Sequence, residues 1–139
     1  MVDYPRLANT VVDTTDVRAA AEFYRQLLGL TYLPGHEAPT HGSDDSDWLV
    51  LCTPSGDRLL AFQGVEQLTR TTWPGPDVPM QMHLCFYVDD PDRLKGHRDR
   101  ALALGAEQLL HRTENPAEPL YVMSDLDGHP FCLYTHPAM

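Results

Sequence analysis

A chain of 139 residues is long enough for one domain with its own core and needs no covalent staples. Its apolar share of 42% and charged share of 22% are those of an ordinary globular protein, and no apolar run is long enough to span a bilayer. The net charge of −10 argues against nucleic acid and anionic membrane as partners and weakly favours cationic ligands, although surface carboxylates also serve solubility.

The first half opens with the β-branched run Asn9 to Val12, followed by a polar stretch from Asp13 to Asp16. Val17, Ala20, Ala21, Tyr24, Leu27 and Leu28 then recur at steps of three and four, the mark of one buried helix face. Thr15 or Asp16 is placed to cap this helix, and Gly29 to end it. Three short strands are expected next, at Leu30 to Leu33, Asp47 to Cys52 and Arg58 to Gln63, with Ser55-Gly56 turning between the last two.

The Pro-rich stretch from Trp73 to Pro79 reads as a stiff linker over 71–79, separating modules at about 5–70 and 80–137 of a single 1–139 domain. The second half repeats the plan. His83 to Val88 is a strand, Asp89 or Asp90 caps a helix with Pro91 in its first turn, and Gly105 ends it. Strands follow at Glu107 to His111, Tyr121 to Ser124 and Pro130 to Thr135, with Asp127-Gly128 as a hairpin turn. Asn9 stands to His83 at nearly the spacing that separates Gly29 from Gly105, which suits a duplicated β-α-β-β-β unit.

The three cysteines, Cys52, Cys85 and Cys132, form no close pair, and residues 1–6 lack the layout of a signal peptide. Reduced thiols in a cytoplasmic protein are the expectation.

The opening strand followed by Asp16, Phe23-Tyr24 and Leu27-Leu28-Gly29-Leu30 resembles the vicinal-oxygen-chelate superfamily. So do the strand from His83 to Val88-Asp89 and the closing run Asp125 to Leu133. This superfamily holds the glyoxalases, extradiol dioxygenases and bleomycin-resistance proteins. The run Leu60 to Gln63 and the turn Gly128-His129-Pro130-Phe131-Cys132 are most similar to a glyoxalase-like branch. The resemblance implies an α+β fold in which two βαβββ modules form curved mixed sheets around a cleft. A ferredoxin-like fold is the competing reading, and the extra strand after each helix speaks against it.

Alternation along the strands then turns His83, Cys85, Tyr87, Cys132 and Tyr134 inward and sends Phe86, Val88, Phe131 and Leu133 to the core. Metalloenzymes of the superfamily hold a divalent ion at four inward positions, which carry over to Asn9, Ala61, His83 and Cys132. Ala61 has no donor atom, and Gln63 is the nearest substitute. No metal is therefore the primary expectation; zinc, iron, manganese or nickel on His83, Cys132, Asn9 and Gln63 is the alternative.

His83 with Cys132 is the candidate catalytic pair, a thiolate–imidazole centre in chemical terms and a packed cysteine beside a hydrogen-bonding histidine in ordinary ones. Asn9, Asp13, Trp48, Gln63, Cys85, Tyr87 and Tyr134 are the candidate ligand-binding residues, with core packing the ordinary role for Trp48. The loop carrying His36, Glu37 and His41 is a candidate lid. The expected function is small-molecule binding in a cleft between the modules, as a homodimer of the bleomycin-resistance type. The alternative is a lyase, isomerase or dioxygenase using a reduced metal site or a Cys-His centre.

Overall fold

The computed structural model describes residues 3–114 and 119–136. It divides into two compact units, residues 1–68 and 69–139, each built on one four-stranded sheet and one α-helix.

The first unit runs β1 (Thr10–Thr14), α1 (Val17–Leu28), β2 (Thr31–Tyr32), β3 (Trp48–Cys52) and β4 (Arg58–Gly64). Its strands lie in the order β1-β4-β3-β2, with β1 parallel to β4 and the other pairs antiparallel. Asp16 starts α1 by accepting a hydrogen bond from the Ala19 amide at 3.1 Å, a cap worth about 1 kcal/mol. Gly29 stops it at φ 68°, a conformation that costs glycine nothing. Between them Val17, Ala20, Ala21, Tyr24 and Leu27 are buried against the sheet, where the Tyr24 ring stacks on Phe62 at 5.7 Å.

The other side of this sheet carries a small apolar cluster of Val50, Cys52 and Ala61, with Leu33 packed against it. The segment after β2 is tied down beside that cluster. His36 Nδ1 accepts the Val50 amide at 3.0 Å, while Arg18 on α1 donates to the Asp44 carboxylate at 2.6 Å and the His36 carbonyl at 2.8 Å.

The second unit repeats the order with β5 (Leu84–Tyr87), a 3₁₀ turn at Pro91–Arg93, α2 (Leu94–Ala103), β6 (Glu107–Arg112), β7 (Leu120–Ser124) and β8 (Pro130–Tyr134). Its strand order β5-β8-β7-β6, with β5 parallel to β8, matches that of the first unit. Asp90 caps the 3₁₀ turn, with Pro91 in its first position. Helix α2 buries only Leu94 and Ala101. Arg98 supports it, donating to Gln108 at 2.6 Å and lying over the Tyr121 ring at 4.9 Å.

Each helix is followed by three strands, so the duplicated βαβββ plan is the observed one and the ferredoxin-like alternative falls. Two details differ from the sequence expectation. The β7–β8 turn is centred one residue earlier, on Leu126-Asp127, because the buried Asp125 carboxylate accepts the amides of Asp127 and His129, both at 2.9 Å; Gly128 follows at φ 87°. The Pro-rich segment is closed on itself, with the Thr72 amide donating to the Val78 carbonyl at 2.9 Å. It groups with the second unit, where Arg70 donates to the Leu126 carbonyl at 3.0 Å.

Candidate functional site

In the second unit, β5 alternates half-buried and exposed residues, so Leu84 and Phe86 face the helix side while Cys85 and Tyr87 face out. On β8 the same alternation buries Phe131 and Leu133 and leaves Cys132 and Tyr134 partly accessible. Parallel register then sets Cys85 beside Cys132 and Tyr87 beside Tyr134. His83, two residues before Cys85, falls on the same side.

Two groups result. His83, Cys85 and Cys132 bring their donor atoms within 4.8 Å of one another, with Cys132 the most enclosed. Next along the strands, the Tyr87 and Tyr134 rings meet edge-on at 5.3 Å, and His136 stands 5.9 Å from Tyr87 and 5.7 Å from Tyr134. The Thr135 hydroxyl donates to the Val88 carbonyl at 2.6 Å and ties the ends of these strands together. Sequence reasoning missed His136, although it continues the alternation of Cys132 and Tyr134 by one more step.

The corresponding positions of the first unit carry different chemistry. Asn9 immediately precedes β1, as His83 precedes β5. Val11 is register partner to Ala61 where the second unit pairs Cys85 with Cys132, and Asp13 is partner to Gln63 where it pairs the tyrosines. Asp13 and Gln63 are exposed, and Trp48, partner of Gln63 on β3, is 41% exposed. Core packing is therefore not the role of Trp48. His36, expected in a lid, spends its Nδ1 lone pair on the Val50 amide.

This arrangement tests the four-position metal site implied by the resemblance. Ala61 presents a methyl group at 0% exposure within the Val50–Cys52 cluster, so one position is filled by packed hydrocarbon. The donors that do converge, two thiols and an imidazole, include no carboxylate. The residues present do not fit an oxygen-rich hard-cation site.

Comparison with known proteins bears on the whole chain. The pattern of the glyoxalase-like domain matches residues 9–134. The chain belongs to the glyoxalase-like family. No curated protein matches it. Among solved structures, this glyoxalase-like chain is similar to a glyoxalase/bleomycin resistance protein/dioxygenase family enzyme from Burkholderia phytofirmans, at 17% identity and TM-score 0.69, covering 94% of this chain and 98% of that one. It is also similar to a mutant of the fosfomycin resistance protein FosX from Listeria monocytogenes, complexed with Mn(II) and 1S,2S-dihydroxypropylphosphonic acid. There the identity is 16% and the TM-score 0.69, covering 97% of this chain and 95% of that one. A possible glyoxalase from Bacillus cereus matches at 16% identity and TM-score 0.63, covering 92% of this chain and 96% of that one. At these identities the likeness establishes the fold of this glyoxalase-like chain. Among its described residues, no helix is long and apolar enough to cross a membrane.

Proposed function

We propose that this glyoxalase-like protein binds a small planar or cationic organic molecule against the outer face of its β5–β8 strand pair. The observation that carries this reading is the three-ring group of Tyr87, Tyr134 and His136, in mutual contact while Tyr87 remains 47% exposed. Aromatic rings held edge to face in this way offer both π faces and a polar rim. Each tyrosine ring contributes about 0.5–2 kcal/mol against a cation placed over it. His83, on the same face two alternation steps from Tyr87, supplies a hydrogen-bonding group beyond the thiol pair. Asp13, Trp48 and Gln63 are exposed and Asn9 is half-buried, a second polar and aromatic set on the first unit, and the net charge of −10 adds a long-range attraction for cations. The protein so read is a binder of the bleomycin-resistance type, working in a cytoplasm as a homodimer; sedimentation equilibrium reads the assembly directly.

The test is a panel of planar and cationic small molecules, followed by calorimetric titration of any binder. Tyr87→Ala is expected to weaken binding several-fold with the fold retained, since Phe86 and Val88 carry the packing on the helix side. Binding that is unchanged in both Tyr87→Ala and Tyr134→Ala would overturn the proposal.

One observation favours a second reading, an enzyme of the glyoxalase kind with a Cys-His centre: His83 lies within 4.8 Å of two thiols. Such an enzyme loses turnover in both His83→Ala and Cys132→Ser, whereas a binder has no turnover to lose.

A further inference from the structure

We propose that His83, Cys85 and Cys132 form a site for a thiophilic cation, zinc(II), with three protein donors and an open fourth position. The proposal goes beyond the organic-ligand reading above and shares only His83 with it; the two thiols play no part in that reading. It follows from the disagreement between the four-position pattern of nitrogen and oxygen donors and the thiol-rich set this chain presents.

The geometry comes from the backbone. Cys85 and Cys132 are register partners on adjacent parallel strands, and His83 is one alternation step from Cys85. All three donor atoms lie within 4.8 Å of one another. Zinc bonds of about 2.3 Å to sulfur and about 2.0–2.1 Å to nitrogen in a tetrahedron set donors roughly 3.3–3.8 Å apart. Rotation of the exposed His83 and Cys85 side chains by about an ångström closes that difference without moving a strand.

The chemistry selects the ion. Two thiolates and an imidazole suit zinc and disfavour manganese or magnesium, which take oxygen donors. On binding, two S–H bonds give way to two zinc–sulfur bonds, both protons leave to solvent, and the neutral imidazole donates a nitrogen lone pair. No electron transfer is involved. Three protein ligands leave one coordination position open to water or another small ligand. Cys85 decides the matter, because the four-position pattern has no donor there and the thiol beside Cys132 is what turns the site soft.

The test uses the full chain freed of any tag and stripped with a chelator, then titrated with cobalt(II) as a spectroscopic stand-in for zinc. One equivalent of cobalt is expected to produce a near-ultraviolet thiolate-to-cobalt charge-transfer band together with intense tetrahedral visible bands, both abolished by one equivalent of zinc. Cys85→Ser should remove about half of the charge-transfer intensity and weaken zinc binding at least tenfold. Cys52→Ser, in the first unit, should change neither. Manganese(II) should fail to displace cobalt at equal concentration. A wild-type cobalt spectrum without a sulfur band overturns the proposal whatever the variants do. So does zinc binding that Cys85→Ser leaves intact, or manganese competing on equal terms.

Discussion

Cys85 and Cys132, far apart in the chain, are direct register partners on the parallel strands β5 and β8. Cys52 lies on the other sheet at 2% exposure, within an apolar cluster. The three thiols therefore differ in access. An aromatic disulfide reagent should modify Cys85 first and Cys132 more slowly in the native protein, and Cys52 only on denaturation. Mass mapping of the first two adducts should find Cys85 and Cys132. A fast third thiol, or Cys52 among the first two, would contradict the burial described above.

Tyr24 is held between Phe23, edge-on at 4.9 Å, and Phe62, stacked at 5.7 Å. Tyr24→Ala leaves a ring-sized void between α1 and the sheet and should cost about 3–5 kcal/mol in urea denaturation. Tyr87→Ala, on the exposed face, should cost a small fraction of that. Equal losses would mean that Tyr87 belongs to a core and not to a binding face.

Glu22 accepts two hydrogen bonds from Arg25, at 2.7 and 2.8 Å, and one from the Tyr32 hydroxyl at 2.6 Å. The Arg25 guanidinium, helped by Tyr32 against the opposing effect of burial, lowers the Glu22 carboxyl from its ordinary 4.5 to about 2. A carboxylate depressed in the folded state stabilises the fold above its unfolded pKa and loses that stabilisation as protons return. Stability should accordingly fall between about pH 4.5 and pH 2. Both side chains are more than a third exposed, so screening reduces the contribution to about 1 kcal/mol. Glu22→Gln should flatten this part of the pH profile of the urea midpoint and leave neutral-pH folding intact.

Arg18 joins α1 to the loop after β2 through Asp44 and the carbonyls of His36 and Glu37. Arg18→Met removes all three bonds while keeping a side chain that covers the Tyr32 ring. Hydrogen exchange across residues 36–46 should rise several-fold, with that of α1 itself little changed. Uniform acceleration through the first unit would show that the arginine supports the whole fold.

The modular plan was legible because it is written locally. The three-and-four spacing of Val17 to Leu28, the Asp16 cap and the Gly29 stop each act within one or two helical turns. Strand alternation likewise put His83, Cys85, Tyr87, Cys132 and Tyr134 on one face, opposite Phe86, Val88, Phe131 and Leu133, without knowledge of their neighbours. The family resemblance set the strand of His83 and Cys85 beside that of Cys132, but the approach of all three donor atoms to within 4.8 Å needed the β5–β8 register, which leaves no short-range trace. The cover over Ala61 was hidden for a related reason, since Leu33 is set on its cluster by donating its amide to the Val50 carbonyl, a pairing across to β3. His136 escaped because alternation was followed only as far as the strand itself, which ends at Tyr134.

The parallel pairing of β5 with β8 also dictates when the His83–Cys85–Cys132 group can exist during the life of the chain. Its members enter from strands about fifty residues apart, and contacts that close so long a loop tend to form late in folding. On a ribosome, His83 and Cys85 are made about fifty residues before Cys132, and β5 has no strand to pair with until β8 follows. A metal ion offered during synthesis would therefore meet at most two of its three ligands. Occupancy would report that the last strand of the second module has been laid in place.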